Sequence, residues 1–260
     1  MVRGLSIVLP AYNEEQNVRT AVERALGVLE QVAEDYEVIV VDDGSSDGTS
    51  DVVRSLVDEH GDRVRLIVHE TNIGYGAAIR TGFDCSRYEF VFYTDSDNQF
   101  DVAELEYFLP FVEEHDVVIG FRVYRYDTVL RSIMSWVYNR LVGVLFRTRV
   151  RDVDCAFKLM RRQVLDHLSL ECDNFFIDTE LVARARKWNY RIAQKGVRHY
   201  PRLAGATTVR PSDVPNTLRE VLRMWQRIYF PTRAQLEQYA AHEQHRRART
   251  SEYVPAAVGS

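Results

Sequence analysis

Two periodicities alternate along the first half of the chain. Short apolar runs at residues 5–9, 37–41, 64–68, 90–93 and 117–120 have the length and β-branched content of buried strands. After the first of them, Val18, Ala21, Val22, Ala25, Leu26 and Leu29 recur at three- and four-residue steps, as one face of a helix does. Asp47-Gly48-Thr49 caps a second helix, and residues 74–83 read as a third. Strands alternating with helices predict βαβ units, hence an α/β fold with a mostly parallel central sheet flanked by helices. Such sheets bind ligands beyond the carboxyl ends of their strands. The residues that follow each strand are therefore where chemistry is expected.

Past Gly120 the pattern changes. Residues 129–146 carry an apolar stripe of Leu130, Ile133, Met134, Val137, Leu141, Val144 and Leu145, with Trp136, Arg140 and Arg147 at its margins. A further helix is expected over 178–188. Residues 217–230 set Leu218, Val221, Leu222, Trp225, Ile228 and Tyr229 against Arg219, Arg223 and Arg227, which repeat every four residues. These C-terminal amphipathic helices fit packing on a core, and they also fit a membrane interface. The polar stretch 236–260 has no sustained stripe and is expected to be a flexible tail.

Composition narrows the choice of function. With 46 % apolar and 27 % charged residues in 260, the chain is globular, which excludes disordered and collagen-like classes. A formal charge of −5 argues against a nucleic-acid partner. Yet between Arg122 and Arg162 ten Lys and Arg face three Asp, a local excess that marks where an anionic partner sits. Cys85, Cys155 and Cys172 are far apart and form no CxxC pair, as expected of a reduced, intracellular compartment. No run reaches the ~18 apolar residues of a membrane span, and no basic leader precedes the first strand. The expectation is a cytoplasmic protein that meets a membrane only at its surface.

Three post-strand segments concentrate the candidate chemistry. In Leu9-Pro10-Ala11-Tyr12-Asn13-Glu14-Glu15, Pro10 ends the strand and the carboxylates favour the positive start of the next helix. The functional alternative sets Tyr12 and Glu14 beside a nucleotide base. In Val40-Val41-Asp42-Asp43-Gly44-Ser45-Ser46-Asp47-Gly48-Thr49, Asp42 and Asp43 fall where a carboxylate can accept hydrogen bonds from a ribose or base. Ser45, Asp47 and Thr49 suit turn and cap geometry instead. In Phe92-Tyr93-Thr94-Asp95-Ser96-Asp97-Asn98-Gln99, two carboxylates one residue apart can aim hard oxygens at one cation. Mg²⁺ takes one or two carboxylates and completes its shell with phosphate oxygens and water.

Together, in this order and spacing, the three segments resemble family 2 glycosyltransferases of the GT-A fold, over roughly residues 5–230. Asn72-Ile73-Gly74-Tyr75-Gly76-Ala77-Ala78-Ile79-Arg80, Gly120-Phe121-Arg122, Asp152-Val153-Asp154-Cys155-Ala156-Phe157-Lys158 and Phe176-Ile177-Asp178-Thr179-Glu180 are similar to the polyprenyl-phosphate (dolichol-phosphate) mannosyl- and glucosyltransferase branch. The resemblance implies a Rossmann-like GT-A domain over 1–235, with a nucleotide-sugar-binding half (1–120) and an acceptor-binding half (121–235). It implies that Pro10, Tyr12, Glu14 and Asp43 hold the nucleotide. It also implies that Asp95, Asp97 and Gln99 bind Mg²⁺ or Mn²⁺ together with the donor diphosphate. Arg202, in Pro201-Arg202-Leu203-Ala204-Gly205, resembles the basic residue that closes over that diphosphate, and Asp154 is placed near the acceptor. The QxxRW sequence of processive synthases does not occur. Nor do the transmembrane helices that follow the domain in many members of the branch, which leaves lipid attachment to amphipathic helices or to a membrane-anchoring partner protein.

A phosphate acceptor, with a second pKa near ~6, is already a nucleophilic dianion at neutral pH and needs no base. It does need cations to hold it against an anionic donor, and Arg grips phosphate at two points. Arg122 and Arg131 are the candidates, with Ser135 one turn beyond Arg131 and Arg125 behind them. The alternative is a solvated basic face. The expected reaction is an inverting, metal-dependent transfer of a hexose to polyprenyl phosphate at the cytoplasmic face of a membrane. Asp97, Arg122, Arg131 and Asp154 form the catalytic set, and GDP-mannose is placed ahead of UDP-glucose or UDP-N-acetylhexosamine. A rival in the same fold uses a soluble hydroxyl acceptor with Asp154 as base. A haloacid-dehalogenase phosphatase would carry Thr or Val where this chain has Gln99, and its motif would lie on the first strand. A nucleotide-sugar-binding subunit without catalysis is the third alternative.

Overall fold

The computed structural model describes residues 1–123, 129–201 and 214–233, without the side chains of 129–133, 214–216 and 218. Arg125, Arg202 and the stretch 236–260 lie outside the described residues, as does the side chain of Arg131. In chain order the elements are β1 (Val2–Ala11), α1 (Val18–Val32), β2 (Ala33–Asp42), α2 (Thr49–His60), β3 (Val64–Val68), α3 (Tyr75–Cys85) and β4 (Phe90–Thr94). They continue as β5 (Val117–Arg122), α4 (Val129–Phe146), β6 (Phe157–Arg161), α5 (Arg162–Leu168), α6 (Ile177–Lys187), β7 (Ile192–Val197) and α7 (Val214–Tyr229).

The strands form one seven-stranded sheet in the order β3-β2-β1-β4-β6-β5-β7. All neighbours run parallel except β6, which is antiparallel to both β4 and β5. The five expected strands and the α/β class are therefore present. Central parallel strands are covered on both faces, so they read as near-continuous apolar runs. Accordingly β1 is buried from Gly4 to Ala11. β1 pairs with β2 on one side and β4 on the other, so the chain reverses its direction of winding between them. The carboxyl ends of β1 and β4 thus flank a topological switch point, where a crevice opens for ligands.

β6, α5 and β7 were not expected. Their sequences hide them: β6 reads Phe-Lys-Leu-Met-Arg and β7 Ile-Ala-Gln-Lys-Gly-Val, neither a clean apolar run. Lys158, the second residue of β6, has no exposure, and its Nζ donates to Tyr93 Oη (2.9 Å) and to the Cys155 carbonyl (2.7 Å). It also pairs with Asp178 of α6, whose carboxylate takes the Tyr93 hydroxyl as well.

α4 spans the expected residues but turns differently from its expected stripe. Val142 and Phe146 are fully buried, whereas Val137 and Val144, members of the expected stripe, are exposed beside Trp136, Arg140 and Arg147. The helix is apolar on most sides, so periodicity alone could not select a face. Contacts select it: Tyr138 Oη lies 2.7 Å from Thr179 Oγ1 of α6, and Tyr229 of α7 donates to the Phe146 carbonyl. In α7, Val221, Met224 and Ile228 are buried, while Leu222, expected among the apolar set, is exposed with Arg219, Arg223 and Phe230.

Breaking a buried ion pair from one side leaves an uncompensated charge, at a cost of about 3–5 kcal/mol. Asp178→Ala should lower the urea-unfolding free energy by that amount, and the double variant Lys158→Met/Asp178→Leu should recover most of it. A loss below ~1 kcal/mol in the single variant would show that the pair does not hold β6 against α6.

Candidate active site

The loops after β1 and β2 are bound to one another through side chains. The Asn13 amide donates to Ser45 Oγ (2.9 Å), and Asn13 Oδ1 accepts from the Ser46 amide (2.9 Å). The Glu14 amide donates to Thr49 Oγ1 (2.9 Å), the Glu15 amide to Asp47 Oδ2 (3.2 Å), and the Gly48 amide to Glu15 Oε2 (3.1 Å). Asn13 adopts φ +56°, a left-handed conformation that asparagine tolerates. Ser45, Asp47 and Thr49 therefore serve turn and cap geometry. Glu14 starts α1: its carbonyl accepts from the Asn17 and Val18 amides, and its carboxylate from Asn17 Nδ2 (2.7 Å). Tyr12 stands exposed at the mouth.

The two aspartates ending β2 point into different loops. Asp42 accepts the Ser45 amide (2.9 Å). Asp43 is buried and accepts the Ile73 amide (3.0 Å) and the Gly74 amide (2.9 Å), with His69 Nδ1 at 2.7 Å. It fixes the turn into α3.

The third segment lies alongside the first because β4 pairs with β1. Ser96 Oγ donates to the Pro10 carbonyl (2.8 Å), and Asn98, at φ +60°, donates through Nδ2 to the Asn17 carbonyl (3.0 Å). Asp97 is buried and accepts the Gln99 amide (3.0 Å). Asp95 accepts the hydroxyl of Tyr75, the first residue of α3, at 2.9 Å. Gln99 holds the backbone of the segment after β7 twice: its side-chain Nε2 donates to the Tyr200 carbonyl (2.9 Å), and its own carbonyl accepts the Tyr200 amide (2.8 Å). The segment that leads to Arg202 is thus fastened to the aspartate loop. Asp95, Asp97 and the side-chain oxygen of Gln99 are a hard-oxygen donor set that fits a divalent cation sharing its shell with phosphate and water. Among the described residues no group of three or more His, Cys, Asp or Glu could cage an ion without such help.

Toward the other side of the cleft, Arg122 leaves β5 and forms a two-point pair with Asp152, Nε to Oδ2 at 2.7 Å and Nη2 to Oδ1 at 2.8 Å. Burial works against the charge, but Asp152 outweighs it and raises the guanidinium pKa further. α4 is tied to the same loop, because Asn139 Oδ1 accepts the Val153 amide (2.8 Å). Ser135, one turn earlier, accepts Asn139 Nδ2 on its carbonyl (2.9 Å). Burial, then repulsion from Asp178 and Asp152, pushes the Asp154 carboxyl up to about 7, with Lys158 and Arg122 opposing. Glu180 is structural: it accepts the Glu171 and Cys172 amides (2.9 and 2.8 Å) and Arg184 Nε (2.7 Å).

Residues 6–169 match the model of the family described as "Glycosyl transferase family 2". The chain belongs to glycosyltransferase family 2. Among relatives of this glycosyltransferase, human dolichyl-phosphate beta-glucosyltransferase is 34 % identical, over 75 % of this chain and 67 % of that protein. Dodecaprenyl-phosphate galacturonate synthase of Rhizobium johnstonii is 30 % identical over 87 % and 67 %. Glycosyltransferase AglD of Haloferax volcanii is 32 % identical over 85 % of this chain but only 37 % of its own length. The chain therefore spans from about a third to two thirds of these relatives. The crystal structure of glucosyl-3-phosphoglycerate synthase from Mycobacterium tuberculosis with Mn²⁺, uridine diphosphate and glucosyl-3-phosphoglycerate has a TM-score of 0.67 at 19 % identity, covering 89 % of this chain and 82 % of that one. The shared fold is GT-A.

In this glycosyltransferase the fold brings Pro10, Tyr12, Asp43, Asp95, Asp97 and Gln99 to the carboxyl edge of the sheet, where the end of β5 and the start of β6 also set Arg122 and Asp154, while Ser135 lies on α4, which Asn139 ties to the Asp152 loop. Residue-type reasoning passed over Tyr75, Asp152 and Lys158. Tyr75 lay inside a quoted motif, and Lys158 interrupted an apolar run, which is the signal that a buried charge leaves in sequence.

Because Asp154 holds its proton to higher pH when folded than when unfolded, the folded state binds the extra proton between roughly pH 4 and 7, and stability falls as pH rises through that window. Asp154→Asn cannot ionise. Its stability relative to the parent should therefore rise from about pH 4.5 to about pH 8, by up to ~4 kcal/mol in urea unfolding. An equal difference at both pH values would place Asp154 in a solvated setting.

Proposed function

We propose that this glycosyltransferase transfers a hexose from a nucleotide sugar to a polyprenyl phosphate, with inversion at the anomeric carbon. The reading rests on one observation above others: the Asp95–Asp97 pair sits at the switch point, joined by Ser96 to the β1 loop and by Gln99 to the segment before Arg202. Asp95, Asp97 and Gln99 would hold Mg²⁺ or Mn²⁺, which when bound neutralises charge on the departing diphosphate as a Lewis acid. Pro10, Tyr12 and Asp43 line the nucleotide side, and Arg202 belongs to the diphosphate. Arg122 and Arg131 position the acceptor phosphate, with Ser135 as a further donor, so that it approaches from the opposite face. Positioning and fixed charge supply most of the rate. A carboxyl titrating near 7 lets Asp154 stand beside a phosphate with less repulsion than an ordinary carboxylate would exert.

Relatives named for glucose and galacturonate transfer to polyprenyl phosphates support the acceptor class, and they move glucose ahead of mannose as the sugar to try first. No helix among the described residues is long and apolar enough to cross a membrane. The exposed faces of α4 (Trp136, Val137, Arg140, Val144, Arg147) and α7 (Arg219, Leu222, Arg223, Phe230) support docking at a membrane surface, where the lipid acceptor resides. The same Asp154 value also suits a general base, so a hydroxyl acceptor is the second reading.

Turnover should appear with polyprenyl phosphate and UDP-glucose or GDP-mannose, and not with a simple sugar acceptor; the reverse pattern selects the base-assisted reading. Asp97→Ala should lose divalent-dependent turnover while circular dichroism stays unchanged, and undiminished turnover would remove the metal role. Arg131→Ala should raise KM for the lipid phosphate at least about tenfold, the size of one lost charge-assisted contact, with little change for the nucleotide sugar.

A further inference from the structure

Tyr75 has no part in the reaction as described so far, yet its placement is over-determined. It opens α3 directly after Gly74, whose amide is held by Asp43 at 2.9 Å. The loop at 172–174 lies across this helix start: the Asp173 carbonyl accepts the Gly76 amide (2.8 Å) and the Ala77 amide (3.3 Å). A Cβ at position 74 would lie 2.3 Å from the Asp173 carbonyl oxygen, and one at 76 would lie 2.4 Å from that of Cys172. Gly74 also has φ +114°, which L side chains rarely adopt. Arg80, two turns on, pairs with Asp173 and holds the loop down. Phe175, just past this loop, leaves more than half of its surface exposed, yet it stacks on the Tyr75 ring with centroids 5.2 Å apart and planes at 29°. Backbone below, loop above and ring beside thus aim one hydroxyl across the cleft at Asp95 Oδ1.

We propose that Tyr75 is the positioning residue of the cation site: its hydroxyl fixes the rotation of the Asp95 carboxylate and so sets where the divalent ion stands relative to the nucleotide. The inference rests on the reading that Asp95 and Asp97 hold the ion. A carboxylate ligand on a loop can swing about its terminal torsion, and a hydrogen bond to one oxygen removes that freedom before the ion arrives. Outer partners of this kind typically change metal affinity 10–100-fold when removed. The same residue joins the two halves of the donor cleft, because Asp43 anchors its backbone neighbour and Asp95 accepts its hydroxyl.

Tyr75→Phe keeps the ring and its stacking on Phe175 and removes only the hydroxyl. Free Mn²⁺ would be followed by its paramagnetic resonance signal as protein is added, with UDP in one arm and GDP in the other. Asp97→Ala and the parent chain serve as references, and metal-free nucleotide binding is measured by calorimetry. The expected result is a Mn²⁺ dissociation constant raised about 10–100-fold in Tyr75→Phe, with metal-free nucleotide binding unchanged. The Mn²⁺ concentration for half-maximal turnover should rise in parallel. If Tyr75→Phe binds Mn²⁺ within twofold of the parent while Asp97→Ala has lost it, the positioning role falls and the metal reading stands. An equal loss of nucleotide binding without metal would also overturn the role, because it marks general damage to the cleft. If the parent takes up no Mn²⁺ with either nucleotide, the metal reading fails and this inference goes with it.

Discussion

A lysine ammonium with no access to solvent lies beneath the cleft, and much of the architecture around it follows from the need to neutralise it. Desolvating Lys158 costs several kcal/mol, which only close, well-directed partners offset. Those partners come from three places: Tyr93 on β4, the Cys155 carbonyl just before β6, and Asp178 on α6. Tyr93 is two residues upstream of Asp95, so the anchor of the central sheet lies on the short strand that leads directly into the first carboxylate of the cleft. The antiparallel β6 is in this way fastened to β4, and α6 is fastened over it.

The fold was largely legible because parallel strands covered on both faces write themselves as apolar runs, and α1 to α3 carry single-sided stripes. Legibility failed where burial and polarity part company. Lys158 makes β6 look like a surface segment. Gln194 and Lys195 do the same for β7, an edge strand, where Gln194 accepts the Arg151 amide and donates to the Arg149 carbonyl. For α4 the failure is of another kind. A helix apolar on nearly every side contains no directional signal, and contacts with its neighbours, among them Thr179, Tyr229 and the Val153 amide, determine its rotation.

At the cleft, sequence reasoning found the edge residues but not their division of labour. Two adjacent aspartates at the end of β2 look equivalent, yet Asp42 closes its own turn while Asp43 reaches forward to the next helix. The arginines were read as a grip for an acceptor phosphate, and Arg122 is also half of a pair with Asp152, a residue thirty positions away that no local pattern connects to it. Asp154 drew attention as a carboxylate; its burial, and then the nearby Asp178 and Asp152, make it a reluctant one.

The mutual bonding of the loops after β1 and β2 has a consequence for how such an enzyme can diversify. Asn13, Glu15, Ser45, Asp47 and Thr49 are each engaged by the opposite loop, so exchanging any of them disturbs folding of the cradle before it alters what the cradle accepts. Tyr12, pointing outward from the same turn, is under no such obligation from those bonds. Evolutionary tinkering with ligand preference is thereby channelled to outward positions and to the opposite wall, while the framework stays constant across whatever cargo the descendants come to carry.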